Sequence, residues 1–208
     1  MGIRILPYAE TSRMVTLSRC IQTLGIGWVM FLLLVVKHWG RLLPKTFRGK
    51  SVFSVKLRIL SLVAIREALL AKGIDEIRAD ALTYSVAFAF ATHESTKQFG
   101  GVARIGNLSE IQNAFCRIFR GQGKHQRISP MLLAHDDTFS FSYCHCEFMV
   151  AFNEFGVPTA TVGKAFCDAD RNFWKNAFIQ HDRPYELIKP EATLATTGNS
   201  CVILFVKK

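Results

Sequence analysis

Acidic residues are nearly missing from the first 58 positions of this 208-residue chain, where Glu10 stands alone against ten Lys/Arg. The other 150 positions balance 16 Lys/Arg with 15 Asp/Glu, so almost all of the formal charge of +10 belongs to the N-terminal part. Such a distribution suits an anionic membrane surface better than a nucleic-acid backbone. No module of interleaved basic and aromatic residues appears, so nucleic acid is not an expected partner. C-x-x-C pairs, H-E-x-x-H, a P-loop, G-x-S-x-G and the dinucleotide glycine fingerprint are all missing. Their absence excludes zinc ribbons, zincins, P-loop nucleotidases, nucleophile-elbow hydrolases and Rossmann enzymes as read from local motifs. There is no internal repeat and no low-complexity segment, which excludes solenoids and linkers. Six cysteines at irregular spacing do not form a secreted disulfide framework, so reduced thiols in a cytoplasmic domain are expected.

What the chain does contain is apolar. Half of its residues are hydrophobic and 17 are Phe, enough for one domain with a substantial core. Residues 20–36 form a 17-residue run without a charge. As a helix the run would cover about 26 Å, slightly less than a hydrocarbon core of roughly 30 Å. Trp39 follows it at an interfacial position, then Arg41, Lys45, Arg48 and Lys50. Three readings fit: a spanning anchor with the main domain cytoplasmic, a helix lying in the membrane plane, or a buried core helix. Gly25 and Gly27 favour the in-plane form over the spanning one. A signal peptide fits poorly, since no small-x-small cleavage site follows. Residues 1–50 therefore read as a basic segment bearing a possible membrane anchor, and 51–208 as a single domain.

The rest of the chain predicts an α+β fold, with N-terminal helices followed by an antiparallel sheet. Residues 56–90 are periodic at 3.6, with a stop at Lys72-Gly73 and a new start near Asp75. Asn107-Leu-Ser-Glu110 predicts a helix opening that runs to Gly121-Gln-Gly123. Residues 138–152 alternate as a strand, although the part from Glu147 also suits a helix ending at Gly156. Residues 168–178 predict a short amphipathic helix. Residues 191–197 and 200–206, around Gly198-Asn199, predict a C-terminal hairpin.

The candidate chemistry lies in the last third. Cys144, Cys146, Cys167 and Cys201 alternate there with Glu154, Asp168 and Asp170. A thiol must become a thiolate before it attacks carbon. Cys167, read as sitting where a loop leads into a helix, has a local reason to ionise, because a helix N-terminus favours an anion. Asp170 is a candidate base, a metal ligand or a favourable first-turn charge. On a strand His145 faces away from Cys144 and Cys146, so a helper would come from His93, His125, His135, His181 or a carboxylate. A zinc or iron site using Cys144, Cys146 and Cys167 is the alternative. Each cysteine also has the plain reading of a small buried hydrophobe.

In order along the chain stand Cys146-Glu-Phe148, Glu154-Phe-Gly156-Val-Pro158, Phe166-Cys167-Asp-Ala-Asp170, Thr193-Leu-Ala195-Thr-Thr-Gly198 and Cys201. This series, over about residues 138–206, resembles the L-2-amino-thiazoline-4-carboxylic acid hydrolase family. After Cys201 the family often has an acid and then Phe, whereas here Val202 and Ile203 follow. The resemblance implies opening of a cyclic C=N ring in a small heterocyclic amino acid by a thiolate or a metal-activated water. It implies Cys146, Cys167, Asp170 and Cys201 as catalytic candidates. Arg171, Arg183 and Glu154 are the corresponding candidates for substrate binding. A non-catalytic small-ligand or metal-binding module on the same fold is the alternative.

Overall fold

A computed structural model of the chain describes residues 13–126, 131–135, 137–143, 145–188, 195–196 and 201–208. Four helices come first: α1 (Arg13–Leu24), α2 (Trp28–Thr46), α3 (Phe53–Ala71) and α4 (Glu76–Phe99). After a 3-10 turn at Val102–Arg104 come α5 (Leu108–Gln126), β1 (Met131–His135), β2 (Thr138–Tyr143) and α6 (Glu147–Phe155). A π-helical turn at Thr159–Gly163 leads directly into α7 (Lys164–Gln180), and β3 (Tyr185–Ile188) and β4 (Cys201–Lys207) close the fold. The architecture is α+β and mostly helical. Its sheet has the order β1-β2-β4-β3, with every neighbouring pair antiparallel.

Local chemistry sets the boundaries. Gly25 has φ +62°, and the hydrophobic run breaks there into α1 and α2 at an angle of 95°. A left-handed φ is cheap for glycine and costly for residues with a Cβ. Asp75 accepts from the Arg78 N–H at 2.9 Å and caps α4. Asn107 does the same for Glu110 at 2.8 Å ahead of α5. α5 continues to Gln126, past the expected stop at Gly121-Gln-Gly123. α6 ends at Gly156, whose φ is +74°. The helical alternative for the residues from Glu147 is therefore the form adopted. α4 carries Thr83, Ser85, Thr92 and Thr96 internally because each hydroxyl donates to the carbonyl four residues back.

Two hydrophobic cores share the molecule. One is mainly aliphatic, with Phe31, Phe88, Phe152 and Phe155 among its members, and lies among α1, α2, α3, α4, α6 and the start of α7; Ile59, Leu60, Val63, Leu69, Ala87 and Ala169 are fully buried in it. The other is aromatic and joins the far ends of α4 and α7 to α5 and the sheet, through Phe99, Phe115, Phe139, Trp174, Phe178 and Phe205. α1 and α2 contribute Cys20, Ile21, Phe31 and Leu42 to the aliphatic core, so the N-terminal helices pack on the rest of the chain. The C-terminal strands pair as a hairpin of β3 with β4. Most of the expected first arm, 191–197, and its Gly198-Asn199 turn lie outside the described residues.

Candidate functional site

The site is built where β2 hands over to α6. The strand ends at Tyr143, opposite Cys201 of β4, and Cys146 occupies the position that caps α6. The expected alternation ends with the strand, so His145 does not keep the opposite face assigned to it above. Its Nε2 lies 2.8 Å from Oε1 of Glu147. Glu147 is buried, and its Oε2 accepts the Val52 N–H at 2.8 Å. One carboxylate thus holds the imidazole and also meets the positive N-terminal end of α3. The His145 side chain is 42% exposed, and Cys146, the next residue along the chain, is half-buried.

α7 supplies the second part. Phe166 packs in a tilted arrangement on Phe148 at 4.8 Å between ring centroids and meets Phe152 edge-on at 5.7 Å. This aromatic contact ties the start of α7 to α6 between Cys146 and Cys167. Cys167 is a half-buried thiol. Asp170 and Arg171 follow it by three and four residues and share its helix face. The helix is already wound at Lys164, behind the π-helical turn, so Cys167 and Asp170 do not stand at a loop-to-helix junction as expected. The end-of-helix field that would favour a Cys167 thiolate is correspondingly weaker.

Asp168 does not cap the helix. Its Oδ2 accepts from the Tyr84 hydroxyl at 2.8 Å and from Lys164 Nζ at 2.5 Å, and Arg171 Nη1 lies 3.9 Å from its Oδ1. Burial first, then the charge and hydrogen bond of Asp168, push the Tyr84 hydroxyl well above the usual phenol range. The α4–α7 seam therefore holds one carboxylate between two cations and a phenol. Neither Tyr84 nor Lys164 stands out in the sequence as chemical, although Lys164 and Asp168 have the i,i+4 spacing of a helical ion pair.

Two expected substrate contacts lie elsewhere. Glu154 accepts from Ser51 Oγ at 2.5 Å, from the Ser51 N–H at 3.1 Å and from the Lys50 N–H, and it pairs with buried Lys56 at 2.7 Å. Burial raises its pKa, but Lys56, then Ser51 and the two backbone donors, outweigh this and hold it at about 2. Gly49, at φ +91°, makes the approach possible: a Cβ there would stand 2.6 Å from the Glu154 carboxyl carbon. Glu154 thus fastens the segment between α2 and α3. Arg183 donates to the Arg104 carbonyl beyond the far end of α7. Cys167 and Gln180 are separated by about 20 Å of helix, too far for Arg183 to share a small substrate with Cys167.

Of the remaining candidates, Cys144 lies outside the described residues, and Cys201 is described by its backbone alone. His93 is exposed on α4, and His181 caps the end of α7 remote from Cys167. Among the described residues no group of three His, Cys, Asp or Glu is placed to hold a metal ion. An open groove of about 540 Å³ lies against α5, lined by Ile105, Glu110, Asn113, Cys116 and Arg117. It includes none of the α6 and α7 residues above. Cys20 is fully buried in the aliphatic core, where burial pushes its thiol up to about 11.

No family model matches the chain, and no curated protein matches it. Among solved structures, the Fe(II) unliganded H-NOX protein from K. algicida is similar at 11% identity. It aligns over 72% of this chain and 73% of its own, with a TM-score of 0.35. An alanine-to-glycine mutant of that protein aligns over the same shares with a TM-score of 0.36. A likeness this distant transfers no chemistry.

Proposed function

We propose that this chain is a small-molecule hydrolase of the L-2-amino-thiazoline-4-carboxylic acid hydrolase type, with Cys146 as its reacting thiol. The observation that carries the reading is the His145–Glu147 pair at 2.8 Å, its carboxylate buried, whose two members flank Cys146 in the chain. A base oriented by a third group is what a thiol nucleophile requires. His145 takes the Cys146 proton, and the thiolate adds to the ring carbon of the C=N bond. The ring nitrogen receives a proton, the ring C–S bond breaks, and the ring sulfur leaves as a thiol. Water then releases the carbon from Cys146 as an N-carbamoyl amino acid, so one water is consumed per turnover. Arg171 and Lys164 supply positive charge for a substrate carboxylate. Cys167 and Asp170, on the same helix face, are the proposed proton donors to the ring nitrogen.

The test is formation of the N-carbamoyl product from L-2-amino-thiazoline-4-carboxylate. Cys146→Ser and His145→Gln are each expected to lower kcat at least 100-fold, within the range for loss of a nucleophile or a general base. Turnover retained in Cys146→Ser would remove the thiol from the mechanism.

One observation favours a second reading, a small-ligand-binding module. Asp168 is already engaged by Tyr84, Lys164 and Arg171, so both cations of this seam have a carboxylate partner before any substrate arrives. Calorimetric binding of the heterocycle without turnover would select that reading. Zinc or iron measured in the same preparation tests the proposed metal.

A further inference from the structure

α2 carries an apolar face that the rest of the chain leaves uncovered. Phe31, His38 and Leu42 turn inward, while Val29, Leu32, Leu33 and Val36 are 55–73% exposed. At 100° per residue the stripe runs on through Gly40 to Phe47, which is 72% exposed. Phe47 stacks on Phe53 at 5.1 Å, extending the apolar surface onto the start of α3. Single exposed apolar residues are ordinary, but a continuous stripe along a 19-residue helix marks a contact surface.

The charges say what covers it. Lys37 and Arg41 follow one margin of the stripe, with Lys45 a little further round and Arg48 just past the helix end, and the chain has no acid between Glu10 and Glu67. An apolar stripe edged by long basic side chains suits a bilayer interface: the stems lie along the hydrocarbon and the heads reach lipid phosphates. A second copy of the chain would set these cations against each other with no facing acid. Among the described residues no single helix is long and apolar enough to cross a membrane, and the candidate pair of α1 and α2 bends by 95°. We propose that α2 is an in-plane membrane helix that docks this chain on an anionic phospholipid bilayer by its Val29–Leu33–Val36–Phe47 stripe. The docking is independent of the thiol chemistry proposed above.

The test is flotation of the full chain with vesicles of phosphatidylcholine, with and without phosphatidylserine. Binding to the anionic vesicles is expected to exceed binding to the neutral ones and to weaken in high salt. Lys37→Glu with Arg41→Glu should weaken it by tenfold or more, since each basic residue near the surface is worth about 1 kcal/mol. Leu33→Glu with Val36→Glu should abolish it. Both pairs are exposed, and an unchanged far-ultraviolet circular dichroism spectrum confirms that each variant folds. Quenching of Trp28 by shallowly brominated lipid is the second readout. Equal binding to neutral vesicles, or none to either, would overturn the proposal. So would a Leu33→Glu/Val36→Glu variant that only turns a dimer into a monomer, which would assign the stripe to self-association. Resistance to alkaline carbonate extraction would point instead to a spanning pair and contradict the in-plane placement.

Discussion

The two cores solve the same packing problem with different residues. In the aliphatic core, α7 presents Ala165 and Ala169 to its neighbours. Small side chains there let α7 lie close to α4, and these two helices make the most extensive helix–helix contact. Two turns later the same helix presents Phe173, Trp174 and Phe178 to the aromatic core. Trp174 is fully buried, its ring packed against Phe99, Phe115, Phe178 and Phe205 at 5.3–5.6 Å. A sheet stands further from a helix than a second helix does, and large rings fill the difference. Cys167, Asp168 and Arg171 lie on α7 where one packing style gives way to the other. The α7 part of the candidate site thus sits on a helix packed at both ends.

The largest effect should come from removing the ring at the centre of the aromatic core. Trp174→Ala is expected to cost about 3–5 kcal/mol in urea unfolding, with more than 2 kcal/mol remaining in Trp174→Leu. If Trp174→Ala costs less than about 1 kcal/mol, the aromatic core is not packed as described. On the aliphatic side, Lys56→Ala leaves Glu154 without its buried cation. Its expected cost is about 2–3 kcal/mol, below the usual 3–5 for a fully buried pair, because the Glu154 side chain is 24% exposed. Glu154 also sets a pH dependence. Its folded pKa of about 2 lies below its ordinary value of 4.5, so its contribution is fully present above about pH 4.5. That contribution is lost as pH falls from there toward 2. After allowance for solvent screening it is worth about 1–2 kcal/mol, and Glu154→Gln should flatten the acid limb of the stability profile by that amount. The smallest effect belongs to the seam between the cores. Tyr84→Phe removes one hydrogen bond to Asp168 and should cost about 1 kcal/mol, with the other partners of Asp168 in place.

Much of this architecture is legible in the sequence because local chemistry dictates it. Asp75 and Asn107 cap helices as their spacing suggests, Gly73 and Gly156 end them, and Thr138–Tyr143 forms the strand that its alternation predicts. The length of the N-terminal helix was not legible: the hydrophobic run is continuous in composition, and only the left-handed turn at Gly25 divides it. The start of α7 was missed because a π-helical turn at Thr159–Gly163 has no periodic signature of its own. The site was the least legible part. His145 reads as facing away from Cys146 for as long as the strand is extended past Tyr143, and its pairing with Glu147 depends on where that strand stops. Tyr84 reaches Asp168 across 84 residues of sequence, a partnership that only tertiary packing creates. Glu154 is a substrate-contact candidate through the family resemblance, yet its partners come from a segment about a hundred residues earlier.

The most direct measurement is the alkylation rate of each cysteine by iodoacetamide near neutral pH, followed by peptide mass mapping in the native chain and in His145→Gln. Cys146 is expected to react at least tenfold faster than Cys116, to lose that advantage in His145→Gln, and to leave the rates at Cys116 and Cys167 unchanged. Equal rates at Cys146 and Cys116, or a fast Cys146 indifferent to His145, would contradict the activated-thiol site.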